Sequence, residues 1–202
     1  APMPEPKGLF ELVIYLFSEI TIGLAVAYSA RLLFTAVQIA GTVVDFQMGF
    51  GVVNVIDPQT ETQVSITAQF QNIIAILIFL AADAHHIIIG AIVESFFLIN
   101  PSQINFSTFT PEIILILFKA TFVTAVKIAA PIMAILFFIS VGLGLVARTV
   151  PQMNVFIVGF PLQIGVGLLM VGLSMSFFSI VFQGQIEQLP ERFFGVMQSF
   201  KV

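Results

Sequence analysis

Long apolar runs dominate this chain, and short polar stretches divide them. The first run extends from Leu9 to about Asp45, the second from Phe70 to Ile99, the third from Glu112 to Ala147 and the fourth from Thr149 to Ile186. Written as one helix, the first would be about 55 Å long, well beyond a membrane crossing of about 30 Å. The longest polar interruption is Gln47 to Gln63, QMGFGVVNVIDPQTETQ, with Ser65, Thr67 and Gln69 just beyond it. Gly49 and Gly51 flank Phe50 and disfavour a regular helix there. Asp57-Pro58 predicts a turn, because Pro fixes its own φ and pushes the preceding residue toward extended geometry. So many polar groups do not face hydrocarbon unpaired. The stretch is therefore either a solvated connector or a loop that enters a protein-lined pore and helps to close it.

A second pattern is the scatter of charges within the apolar runs: Glu19, Arg31, Asp83, His86, Glu94, Lys119 and Lys127. Charges so placed face protein or water rather than lipid. Asp83 and His86 are spaced to share a helical face, with Glu94 about two turns beyond. On a continuous helix the adjacent His85 and His86 diverge by about 100°, so the group lacks a third clustered ligand and predicts no metal centre. Small residues at Gly23/Ala27, Ala36/Ala40, Thr121/Ala125/Ala129 and Gly165/Gly167/Gly172 make thin helix faces that suit close helix packing. Pro131 predicts a kink in the third run. The segment Arg148 to Asn154 predicts a tight turn, in which Pro151 ends one helix and Asn154 caps the next.

Composition fixes the class. The chain has 202 residues, 58% of them hydrophobic and 9% charged, with a mean hydropathy of +1.08. A soluble domain carries about a quarter charged residues, so this is an integral membrane protein or a subunit buried in an apolar assembly. Cysteine is absent, which excludes disulfides and thiolate metal sites. The net charge of −4 is thinly spread without a basic run, which argues against a nucleic-acid partner. Trp is absent and Phe, at 23 residues, supplies the aromatic surface. Gly142 to Ala147 matches GxGxxA in letters alone, with no strand before it, and gives no nucleotide site. No convergent nucleophile, base or cofactor set is visible, so no enzymatic activity and no cofactor are expected. A secondary transporter would share the intramembrane charges but predicts an internal repeat, and the halves show none.

Several strings together resemble a known family. Ala147 to Leu168, ARTVPQMNVFIVGFPLQIGVGL, is similar to the signature of the FliR/SctT family, the export-gate subunit of flagellar and virulence type III secretion. Glu19 to Gly41, Gln47 to Gln59, Gln69 to His86 and Glu94 to Ile99 follow in the family's order. Gln163 stands where the family commonly has Lys. The resemblance implies an all-α membrane protein of long kinked helices and helical hairpins. In it a FliP-like part (9–99) precedes a FliQ-like hairpin (112–183) and a C-terminal tail (184–202). It implies a subunit of the flagellar export apparatus in the bacterial inner membrane at the basal body, with injectisome use as the alternative. It further implies FliP-like and FliQ-like subunits and an FlhB-like protein as partners, unfolded secreted proteins as substrates, and contact with membrane lipids. The Pro-rich start, residues 1–8, reads as a linker from further hydrophobic segments expected upstream. By resemblance Met48, Gly49, Phe50, Gly51, Val52, Asn54, Asp57 and Pro58 belong to a pore plug. Arg148, Pro151, Gln152, Asn154, Phe156, Gly159, Phe160 and Pro161 are expected to set the hairpin on which assembly depends.

Overall fold

The computed structural model describes residues 8–51, 65–99, 111–152 and 154–200. Val52, Asn54, Asp57 and Pro58, residues 1–7 of the linker expected at 1–8, and the polar stretch 100–110 lie outside the described residues. Among the described residues all regular structure is helical: α1 (Leu9–Met48), α2 (Ile66–Ala81), α3 (Ala84–Leu98), α4 (Pro111–Thr149), α5 (Val155–Leu173), α6 (Met175–Glu187) and α7 (Leu189–Gln198).

Three helices, α1, α4 and α5, are long and apolar enough to cross a membrane, and the bent pair α2 and α3 adds a fourth candidate. The surface agrees with that composition. Leu9, Phe10, Phe97, Phe156, Ile157 and Leu173 are large apolar side chains left open to the surroundings. Exposed apolar area on this scale marks contact with lipid or with other proteins. The fold is thus an all-α membrane protein, the membrane class as composition predicts and the helical architecture as the resemblance implies.

The structure refines several boundaries. α1 runs on through Gln47 and Met48, so the first interruption begins at Gly49 rather than before it. Phe50 and Gly51 are again helical. The second run is two helices, broken at Ala82 and Asp83 with a bend of 68°. The fourth run is divided at Ser174, whose backbone N–H is held by Met170 O and Gly172 O. Pro131 and Pro161 lie within helices that continue past them.

Two compact units form from non-consecutive stretches. One draws on Ala1–Thr35, Leu77–Thr121 and Gln183–Val202. Within it, α7 packs against α3. Leu189, Phe193, Val196 and Met197 recur at helical spacing and are buried, so the tail spends its apolar face inside the chain. Arg192 donates to Gln185 Oε1 at 2.5 Å and Gln188 Oε1 at 3.0 Å, and burial draws its guanidinium below its ordinary pKa. Phe34 and Phe79 meet edge to face in the same unit, with ring centroids 5.4 Å apart.

The other unit comprises Ala36–Ile76 and Phe122–Phe182. Small residues let its backbones approach: a methyl group added at Gly41 would fall on the backbone of Ala68. Val37, Val44, Met48, Ala75, Ile132, Leu136 and Phe182 are its wholly buried apolar side chains.

Candidate functional site

The most constrained part of the second unit is the stem of the 49–65 interruption. Asp45, on the last turns of α1, is buried, and its Oδ2 accepts hydrogen bonds from Ser65 Oγ at 2.5 Å and Thr67 N at 3.2 Å. Ser65 Oγ in turn accepts from Ala68 N at 3.0 Å and caps the start of α2. One carboxylate thus ties the end of α1 to the beginning of α2. Asp45 Oδ1, Thr67 Oγ1 and Gln71 Oε1 are buried beside it without a partner in the described chain.

Above this clasp the chain turns at Gly49, where φ is +94°, a conformation that side chains bearing a Cβ rarely adopt. The Phe160 ring fills the space where a Cβ on Gly49 would stand, its Cδ1 at 2.7 Å from that position. Met48, wholly buried, leans into the gap left by Gly167, where an added Cβ would lie 2.6 Å from Met48 Cε. Met48 and Gly49, expected in a plug, and Phe160, expected in the hairpin, are therefore neighbours.

The hairpin forms as its residues require. α4 closes with Val150 N donating to Val146 O at 2.8 Å, Pro151 and Gln152 form the turn, and Asn154 Oδ1 accepts from Phe156 N at 3.2 Å. Arg148 lies in the last turn of α4, where a cation suits the helix dipole. Leu143 Cδ1 comes within 3.1 Å of the position a Cβ would take at Gly159. Gln163 donates to Ser140 Oγ at 3.0 Å, a neutral link between the two helices. A cavity of about 540 Å³ opens along the hairpin, lined by Leu143, Ala147, Pro151, Asn154, Phe156 and Gln163.

The charges of the apolar helices are mostly turned outward. Arg31, Asp83, His86, Glu94, Lys119 and Lys127 are exposed and Glu19 is half-buried. At the α2–α3 bend the geometry departs from the sequence expectation. Asp83 is not on a helix with His86; it precedes α3 with φ +52°, and its carboxylate makes no cap bond. His85 and His86 are consecutive residues on the first turn of α3, and their rings nonetheless lean together, with centroids 4.1 Å apart. Asp83 Oδ1 lies 3.8 Å from His86 Nδ1.

Residue reasoning missed the clasp. Asp45 ends an apolar run and Ser65 precedes another, a start signal for a helix, but the nineteen residues between them hide their partnership. The seating of Met48 against Gly167 carries no local signal at all.

Long apolar helices, with charges exposed along them, define a membrane protein. The chain belongs to the family described as Bacterial export proteins, family 1, whose profile matches residues 1–189. It is 43% identical over 169 residues to the flagellar biosynthetic protein FliR of Bacillus subtilis, covering 82% of this chain and 65% of that protein. It is 33% identical over 191 residues to FliR of Aquifex aeolicus, covering 95% of this chain and 74% of that protein. It is 27% identical to the Yop proteins translocation protein T of Yersinia pestis, over 80% of this chain and 63% of that one.

Proposed function

We propose that this chain is an export-gate subunit of the flagellar type III secretion apparatus, in the bacterial inner membrane at the basal body. It assembles with FliP-like and FliQ-like subunits and an FlhB-like protein around a path for unfolded flagellar proteins. The observation that carries this reading is the family match along residues 1–189. The exposed charges on apolar helices support it, since such groups require protein partners within a membrane. The part 9–99 corresponds to the FliP-like portion, and 112–183 to the FliQ-like hairpin.

Within that gate the 47–63 stretch is the plug. Its stem is held by Asp45, and its first turn depends on Gly49, packed under Phe160. Such an arrangement fixes the two ends between which a plug would reach a pore. The residues Met48, Gly49, Phe50 and Gly51 form its near edge, and Val52, Asn54, Asp57 and Pro58 complete it. The hairpin residues Arg148, Pro151, Gln152, Asn154, Phe156, Gly159, Phe160 and Pro161 serve assembly. The likeness to the Yersinia protein supports an injectisome gate as the second reading.

Deleting Phe50 to Asn54 separates a plug from a connector. Cells carrying the assembled variant should leak ions and small solutes, whereas loss of a plain connector would be nearly silent. Unchanged leakage at normal complex abundance sinks the plug role. Failure of the wild-type chain to co-purify with FliP-like and FliQ-like subunits sinks the gate reading itself. Restored swimming of a flagellar mutant, against restored effector secretion in an injectisome mutant, decides between the two systems.

A further inference from the structure

We propose that Asp83, His85 and His86 form a site for a divalent transition-metal ion at the bend between α2 and α3. One donor atom from each of the three side chains lies within 4.8 Å of the others. Two imidazoles and a carboxylate match the nitrogen and oxygen ligands that zinc takes, usually with a further position open. That donor set also suits cobalt and nickel, and it disfavours calcium and magnesium, which prefer all-oxygen shells.

Three independent features point the same way. The backbone at Asp83 sits at φ +52°, uncommon for a residue with a Cβ, and is locked there: its N–H donates to Leu80 O at 3.1 Å and its carbonyl accepts from His86 N at 3.0 Å. His85 Nδ1 is shielded from solvent and has no hydrogen-bond partner among the described residues. A shielded imidazole nitrogen without a partner is disfavoured unless a donor or a metal meets it. The third feature is a near miss: Asp83 Oδ1 and His86 Nδ1 stand 3.8 Å apart, too far to share a hydrogen bond. Two ligands on one tetrahedral zinc ion are separated by roughly 3.4 Å, so a small side-chain rotation brings both onto a shared ion.

The surroundings favour a cation. α2 ends at Ala81, and the carbonyl end of a helix carries partial negative charge. The bend itself is firmly seated, with Phe79 and Ala84 buried on either side of it. Asp83 and His86 are 78% and 69% exposed, so an ion can enter directly from outside. Once bound, it would join the residue preceding α3 to the first turn of α3.

The test uses the complete export assembly containing this chain, purified through a histidine-free tag and stripped with a chelator. Co(II) is then titrated in and followed by visible absorption. Wild-type assembly should take up one more Co(II) per copy of this chain than the variants, with the intense bands of a four-coordinate nitrogen-containing site, and release it to Zn(II). Reading the difference between assemblies cancels metal held by other subunits. His86→Ala and Asp83→Asn alter exposed side chains and should assemble normally, yet weaken that uptake by at least about 100-fold. His85→Ala should do the same. Glu94→Gln, a nearby exposed acid outside the triad, should leave it unchanged. Equal Co(II) uptake by wild-type and His86→Ala assemblies, or loss of uptake in Glu94→Gln, overturns the proposal.

Discussion

At the stem of the 49–65 interruption a carboxylate is buried, and its Oδ2 accepts from Ser65 Oγ and Thr67 N; at the α2–α3 bend a carboxylate is 78% exposed and caps nothing. Both places break an apolar run and both contain an aspartate beside a helix start. The chain satisfies the first within itself, since Asp45 and Ser65 together tie α1 to α2. It leaves the second open, with a positive φ at Asp83 and a His85 nitrogen that has no partner among the described residues. A break closed by its own side chains can hold a loop in register. A break with free donors is completed by something that arrives from outside.

Removing the clasp should have the largest effect. Asp45→Ala strands the Thr67 N–H and the Ser65 hydroxyl in a shielded place, a loss of about 2–3 kcal/mol. Thermal unfolding of the purified assembly should drop accordingly, and Asp45→Asn, which keeps an acceptor, should recover part of the loss. Equal stability of Asp45→Ala and wild type would erase the contrast between the two breaks.

The packing behind the clasp comes next. Gly167→Ala pushes a methyl group into Met48 and should cost about 2 kcal/mol, as overfilled cores do. In a Met48→Ala background the same substitution should be milder, a coupling of about 1 kcal/mol in a double-mutant cycle. Additive losses would mean that Met48 and Gly167 do not share a contact. The smallest effect belongs to the open break. Asp83→Gly relieves the positive φ and should shift stability by under about 1 kcal/mol, measured by the same unfolding experiment. A loss as large as that of Asp45→Ala would show that Asp83 is also a structural tie.

How much of this was legible beforehand follows from the range of each interaction. The Pro151 to Asn154 turn was readable because helix termination and capping act over a few residues. The membrane class was readable because it is a property of composition. Asp45 with Ser65 and Met48 with Gly167 were not, since each pair is made by helices meeting in space rather than by neighbours in sequence. The bend at Asp83 was missed for another reason. Its letters, Ala-Ala-Asp-Ala-His-His, favour a helix running straight through, and only an unusual φ at Asp83 breaks it.

The seating of α7 on α3 has a consequence for the order in which the chain is made. The unit built on Ala36–Ile76 and Phe122–Phe182 has all its parts once residue 182 has left the ribosome. The other unit must wait for Leu189 to Gln198, because that helix supplies Leu189, Phe193, Val196 and Met197 to its interior. Until then α3 stands with one apolar side uncovered while nearly a hundred residues are still being added. Throughout that interval the nascent chain carries a hydrophobic face in need of shelter, the condition under which partly made proteins aggregate or are degraded.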